Sequence, residues 1–406
     1  MSVSVELLKG DIMRFSHTAL FDCLPTLPAD TLLPLIAAFK RDPRPDKIDV
    51  GVGVYRDAAG KTPVFGAVKS AERALLETQQ SKGYLGPEGD IGFVRAIEAI
   101  VFGDLDLGSR LTSLQTPGGT GALRLAAELI VSARPEARVF VGAPTWANHP
   151  PVLSAARLAV VEHDYFDRTG QRLAFDRMMA ALDDARSGDV VLLHGCCHNP
   201  TGVDFDLDQW ADLAAFMARR GLLPFIDLAY QGLGSGLAQD SAGLRVVLDH
   251  VEEAIIAYSC DKNFGLYRER TGALFVVARH TTSAAHVRAN LEALARTCWS
   301  MPPDHGAAVV RTILEDAELT SSWRAELETM RLRIVDIRAR LAATHPLFAP
   351  LIGHKGMFAT LPLSPEEVQQ LREEDGIYMA GSGRINVAGL TASQVAPFAA
   401  AVARLR

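Results

Sequence analysis

Three polar residues stand where apolar runs end: Asn199 after "DVVLLHGCCH", Asp227 closing "LLPFID", and Lys262 after "EEAIIAYSCD". Lys262 sits among Cys260, Asn263, Phe264, Gly265, Leu266 and Tyr267, which is not the setting of a solvated surface lysine. Such surroundings disfavour the ammonium form and free the amine to attack a carbonyl. A carboxylate at the end of an apolar run is costly unless a partner answers it. For Asp227 that partner could be a protonated ring nitrogen of a ligand, or, more plainly, the amino end of a helix.

"TPGGTGALRLAAELI" (Thr116 to Ile130) reads as a glycine-rich turn running into a helix. Gly118, Gly119 and Thr120 would turn backbone N–H groups and the positive end of that helix toward an anion. The stretch lacks the Gly-Lys-Ser/Thr of a nucleotide loop and the full spacing of a dinucleotide fingerprint. With Ser259 and Arg270 it makes a cup for one phosphate. A lysine for an imine, an acid for a ring nitrogen and a cup for a single phosphate together match what pyridoxal 5'-phosphate requires.

The most conspicuous stretch, "LLHGCCHNPTG", puts Cys196 and Cys197 between His194 and His198. Zinc sites prefer ligands two to four residues apart with a second pair elsewhere. Neighbours in an extended segment face opposite ways, so the two cysteines are not expected to share one ion. No metal is expected, and the cysteines and histidines are read as packing. That leaves the end of the stretch, Asn199, Pro200, Thr201 and Gly202, as the part that follows the strand.

Elements must position these groups. Apolar bursts at Ala137–Ala143, Asp189–Gly195, Leu222–Tyr230, Glu252–Cys260 and Gly272–Arg279 alternate with helical patterns such as "DLDQWADLAAFMARRG". Strand and helix in alternation predict an α/β fold with a mostly parallel sheet flanked by helices. In such sheets ligands sit beyond the carboxyl ends of the strands, where Asn199, Asp227 and Lys262 fall. After Ser322 the pattern changes. Trp323, Leu327, Met330, Ile334, Ile337 and Leu341 follow a helical period. "SPEE" and "TASQ" then open two capped helices. The expected organisation is an arm and part of a small domain over residues 1–50, a large domain over 51–322, and a smaller α+β domain over 323–406.

The 406 residues are 48% hydrophobic and 22% charged with net charge -7, which allows a large core and argues against nucleic-acid binding. Five cysteines, an odd number, suit reduced thiols and a cytoplasmic protein. The amino terminus has no secretory pattern, and no apolar run reaches membrane-spanning length.

Eight segments, "GVGVYRDAAGKTPV", "YLGPEG", "QTPGGTGALR", "PTWANH", "HGCCHNPTG", "DLAYQG", "KNFGLYRER" and "SGRINVAG", occur in this order between Gly51 and Gly389. In them the chain resembles class I, fold-type I aminotransferases of the aspartate/aromatic branch. The resemblance implies transfer of an amino group from an aromatic amino acid or aspartate to 2-oxoglutarate, through a pyridoxal phosphate Schiff base on Lys262. It implies that Lys262 also moves the substrate's α-proton, and that Asp227 keeps the pyridine nitrogen protonated. Asn199 and Tyr230 would bond the cofactor's 3'-oxygen, and Trp146 would stack on its ring. Gly119, Thr120, Ser259 and Arg270 would hold the phosphate, with Tyr84 of a neighbouring subunit. Gly53, Trp146, Asn199 and Arg384 would bind substrate, Arg384 clamping the α-carboxylate. Arg296 would reach a distal acid across a homodimer.

The match departs from the family in two places. Asp261 stands before the lysine where the family usually has a small residue, and Cys260 where this branch often has an aromatic one. Cys298, Trp299 and Met301 replace smaller or more polar residues near Arg296, and Gly83 precedes Tyr84. More apolar walls point to bulky amino acids in addition to dicarboxylates. Other readings stay open: another pyridoxal phosphate reaction (β-elimination, decarboxylation or racemisation), a non-catalytic binder, or a thiol or metal protein built on Cys196 and Cys197.

Overall fold

The computed structural model describes residues 21–22, 24–25 and 32–406. Much of the proline-punctuated arm, and with it Cys23, lies outside the described residues. Seven strands build the main sheet: β1 (Leu111–Pro117), β2 (Arg138–Ala143), β3 (Ala159–Asp164), β4 (Val190–His194), β5 (Leu223–Leu228), β6 (Ala254–Ser259) and β7 (Thr271–Val277). Their order across the sheet is β1, β7, β6, β5, β4, β2, β3. All neighbours pair parallel except β7, which runs antiparallel to both β6 and β1.

The bursts read as continuous apolar runs because helices cover both faces of the sheet. Val190 and Leu192 enter one core with Phe225 and Ile255, while Val191 and Leu193 enter the other with Ile226 and Ile256. The five expected bursts became β2, β4, β5, β6 and β7. Strands β1 and β3 were not among them. β3 is an edge strand with mostly exposed or half-exposed side chains, and β1 carries Thr112, Ser113, Gln115 and Thr116.

Strand direction brings the phosphate cup together. A strand antiparallel to its neighbours starts at the edge where they end. Thr271 pairs with Pro117 and Gly272 with Ser259, so Arg270, Gly118 and Ser259 share one corner. The helix Gly118–Ala133 starts there with its free N–H groups.

The helix expected after Ser322 spans Ala317–Ala342, and all six periodic residues are buried. One helix thus runs through the junction expected at 322/323. Its first half packs on the segment after Lys262: Trp323 stacks on Phe264 at 4.4 Å and donates from Nε1 to the Asn263 carbonyl at 2.8 Å. Its last half joins a third core, where Ile337 and Leu341 pack with Ile48, Val50 and Phe398. Ile48–Asp49 pairs parallel with Ile377–Tyr378 in the same region. Ser364 and Glu367 close a capping box before Pro365–Asp375, and Gln394 Oε1 accepts from the Thr391 N–H at the last helix.

Candidate active site

A cavity of about 210 Å³ opens at the carboxyl ends of β4, β5 and β6. Gly119, Thr120, Trp146, Asn199, Asp227, Tyr230, Ser259, Lys262 and Arg270 line it, with His194 and Asp261. Lys262 Nζ lies 5.1 Å from the Tyr230 ring centre. Burial lowers the Lys262 ammonium, against the opposing pull of Asp261 and Asp227. The amine is thereby moved toward the neutral form that a nucleophile needs.

Asp227 is buried and would be pushed up by that burial, yet its carboxyl sits below the usual range. The His149 hydrogen bond, helped by the electrostatic pull of neighbours that include Lys262, outweighs desolvation. His149 Nε2 is 3.0 Å from Asp227 Oδ2. Thr145 Oγ1 joins His149 Nδ1 at 2.7 Å and His194 Nε2 at 3.0 Å. An ionised carboxylate only accepts, so His149 Nε2 carries a hydrogen. This buried chain reaches the carboxylate and holds one of its oxygens. His194 was expected only to pack; it lines the cavity instead, because β4 ends with it beside Asp227. His149 and Thr145 were visible only as polar residues following β2, and neither spacing nor type marked them as partners of Asp227.

Asn199 Nδ2 donates to Tyr230 Oη at 3.2 Å, and the buried Asn199 Oδ1 has no partner. Burial raises the Tyr230 phenol, so it stays protonated with its own hydrogen free to donate. At the cup, a Cβ on Gly119 would meet Ser259 Cβ at 3.0 Å, and one on Gly118 would meet Arg270 Nη2 at 2.7 Å. Gly118 also has φ +69°, a conformation glycine adopts freely. Gly119, Thr120, Ser259 and Arg270 therefore line one corner of the cavity, beside the amino end of the helix Gly118–Ala133. Asp261 intrudes on it: Arg270 Nη1 donates to Asp261 Oδ2 at 2.6 Å.

Arg384 and Gly53 lie one layer out. Arg384 stands 5.0 Å over the Phe358 ring, which meets Tyr230 edge-on at 6.0 Å, and a Cβ on Gly53 would touch Phe358 Cζ at 3.0 Å. Arg384 Nη2 donates to the Gly51 carbonyl at 2.7 Å, and its buried Nε has no partner. Tyr84 and Arg296 are not brought to this cavity by their own chain. Tyr84 is 95% exposed and Arg296 is exposed near the end of the helix Thr281–Cys298.

The cysteine pair corrects one expectation. Cys197 has φ +52°, so the chain is not extended there, and both sulfurs point to one place, within 4.8 Å of an Asp240 oxygen. Asp240 already accepts from the Gly232, Gly234 and Ser235 N–H groups. The contact with Cys197 and burial push the Cys196 thiol up; the contact with Cys196 pulls the Cys197 thiol down, but burial carries it up to about 11. Both thiols are held in the protonated form.

A buried lysine, an ionised acid beneath the same cavity and an anion cup, set at the carboxyl edge of this sheet, define a fold-type I pyridoxal phosphate enzyme. The sequence model of the family "Aminotransferase class I and II" matches residues 45–402, and the chain belongs to that family. It is 54% identical over 385 residues to a tyrosine aminotransferase of Rhizobium meliloti, covering 94% of this chain and 98% of that protein. It is 43% identical over 392 residues to an aspartate aminotransferase of Escherichia coli, covering 94% and 99%. An aromatic-amino-acid aminotransferase of Burkholderia pseudomallei, solved covalently bound to pyridoxal phosphate, superposes with TM-score 0.93 at 37% identity, covering 95% of this chain and 99% of that one. The protein is a pyridoxal phosphate-dependent aminotransferase. Such relatives support transamination and do not favour elimination, decarboxylation or racemisation.

Proposed function

We propose that the enzyme transfers amino groups from aromatic amino acids and aspartate to 2-oxoglutarate. The observation that carries this reading is the convergence of Lys262, Asp227 and the Gly119–Thr120–Ser259–Arg270 cup on one cavity. The names of the relatives, which include tyrosine and aspartate aminotransferases, support the two donor classes. Trp299 and Met301 near Arg296 support the aromatic one.

Bound pyridoxal phosphate supplies an electrophilic carbon for amines and a conjugated ring that draws electrons from the substrate's α-carbon. Lys262 Nζ is the group that takes the α-proton and returns it, since burial favours its neutral amine. Asp227 offers a fixed negative charge to a protonated ring nitrogen, and His149 keeps that charge oriented. Tyr230 Oη donates to a cofactor oxygen, with the Asn199 amide steadying it. The cup would hold the phosphate, and Trp146, which lines the cavity, would stack on the ring. Arg384 binds the substrate carboxylate in a two-pronged contact, using the Nε that has no protein partner. Gly53 leaves room beside Phe358 for the substrate backbone.

Tyr84 and Arg296 act in the site of a second copy of the chain, so the enzyme works as a homodimer. Their exposure on an isolated chain supports this. Residues 51–322 serve as the cofactor-binding body and 323–406 as the small one. We place the enzyme in the cytoplasm, a reading supported by the free buried thiols Cys196, Cys197 and Cys260. Among the described residues no helix is long and apolar enough to cross a membrane.

The test is a panel of amino acids incubated with 2-oxoglutarate, assayed for glutamate and the matching oxo acid together. Tyrosine, phenylalanine and aspartate should all give both products. Oxo acid without glutamate would overturn transamination, and turnover of aspartate alone would overturn the aromatic assignment.

A further inference from the structure

We propose that Asp261 sets how tightly the enzyme holds its cofactor, by competing with the cofactor's phosphate for the Arg270 guanidinium. The inference rests on reading the cup as a phosphate site. Asp261 lines the same cavity as Gly119, Thr120, Ser259 and Arg270 and is only 6% exposed. Its Oδ2 takes the Arg270 Nη1 hydrogen at 2.6 Å. Its Oδ1 is buried with no partner. The rest of the cup consists of donors: the amino end of the helix Gly118–Ala133, the hydroxyls of Thr120 and Ser259, and the guanidinium.

A carboxylate in a cup of donors does what a phosphate does. An arriving phosphate meets an arginine that is already paired and a fixed like charge beside it. Two anions a few ångströms apart in a desolvated setting repel, and the tighter their surroundings the larger the repulsion. Asp261 has little freedom to withdraw, because its backbone N–H is tied to Ser259 Oγ at 3.2 Å and its neighbours Cys260 and Phe264 are buried. Lys262, the Tyr267 hydroxyl and the buried Cys260 thiol are the other titratable groups that feel Asp261. None is bonded to Oδ1. The competition is felt most when the cofactor has no covalent tether to Lys262, because the cup is then the main anchor.

The experiment uses the full chain freed of cofactor, with Asp261→Ser and Asp261→Asn beside the unaltered protein. The probe is pyridoxamine 5'-phosphate, which has no carbonyl for Lys262 to bond; pyridoxamine, which lacks the phosphate, is the control. Affinity is read by fluorescence titration, and folding by circular dichroism and thermal midpoint. Both variants should bind pyridoxamine 5'-phosphate at least about tenfold more tightly, a change of about 1.4 kcal/mol, and pyridoxamine no differently. Equal or weaker binding by both variants overturns the proposal, since Asp261 would then be neutral or would be positioning Arg270 for phosphate. Equal gains with pyridoxamine also overturn it, since the effect would not run through the phosphate. If none of the three proteins binds pyridoxamine 5'-phosphate, the reading of the cup fails and takes the proposal with it.

Discussion

His149 Nε2 and Asp227 Oδ2 stand 3.0 Å apart, both side chains buried, at the base of the cavity that Lys262 lines. Burial alone would drive the Asp227 carboxyl toward its neutral form, and the His149 contact is the largest influence reversing that. The charge at the base of the cavity is therefore maintained by a histidine rather than by solvent. Asp227→Asn keeps the shape and removes the charge, and turnover should fall by roughly 10²–10³, the range for losing one preorganised electrostatic partner. His149→Asn keeps a donor near the carboxylate and should cost much less, while raising the pH at which activity is lost in acid. Turnover at saturating cofactor across pH checks both. An Asp227→Asn enzyme with native turnover would remove the carboxylate from the mechanism.

The histidine row has a second consequence, in acid. Burial holds His194 down to about 3, and holds His198 well below its ordinary value. An unfolded imidazole takes its proton near about 6.5. Below that pH the unfolded chain binds protons that the native chain refuses, so stability is complete above the unfolded value and drains away as pH falls toward the folded one. Each histidine costs about 1.4 kcal/mol per pH unit inside its window. The urea midpoint should drop between about pH 7 and about pH 5, and His194→Gln with His198→Gln should flatten the drop. An identical slope in that double variant would assign acid sensitivity to other groups.

What was legible in the sequence was whatever local chemistry fixes. Lys262 and Asn199 follow buried strands and Asp227 stands near the end of one, and strand ends in a parallel sheet converge whatever the register. The glycine turn at Gly118 announced an anion site for a similar reason: its backbone conformation and its helix are both local. The Thr145–His149–Asp227–His194 chain was not legible, because it depends on which strands lie side by side. His194 faces Asp227 only through the β4–β5 register. Cys196 and Cys197 misled because a single residue at φ +52° turned two sulfurs to one side. The Arg270 pairing with Asp261 was not legible either, because it depends on the antiparallel entry of β7 beside the end of β6.

Glu326 shows a long-range contact of the same kind. From the long helix Ala317–Ala342 its two oxygens accept from the N–H groups of Gly66 at 2.8 Å and Ala67 at 3.1 Å, capping the helix Gly66–Thr78 from 260 residues away. That helix has no side-chain cap of its own. Glu326→Ala should cost about 1 kcal/mol, the usual value of a lost helix cap, and Glu326→Gln less, because one amide oxygen still accepts. Denaturant unfolding distinguishes them. Equal losses for both would indicate that charge, rather than hydrogen bonding, holds the two helices together.

The two substrate arginines should separate by substrate and by subunit. In the proposed role Arg384 meets the carboxylate every substrate carries, so Arg384→Lys should lower kcat/KM for aspartate and phenylalanine alike, by roughly 30-fold or more, as expected when a paired, desolvated charge contact is broken. Arg296 meets only a distal acid, so Arg296→Ala should impair aspartate and 2-oxoglutarate while the half-reaction with phenylalanine survives. Arg296 is exposed and outside the cavity of its own chain, and the proposal is that it serves the site of a second copy. Lys262→Ala and Arg296→Ala proteins, each inactive toward aspartate, should therefore complement when unfolded and refolded together. In a twofold dimer with shared sites, the hybrid has one site containing both native residues, and random pairing gives about a quarter of the normal aspartate activity. Aspartate activity that stays absent in the refolded mixture, with dimers present by sedimentation, would mean that Arg296 serves its own chain or none.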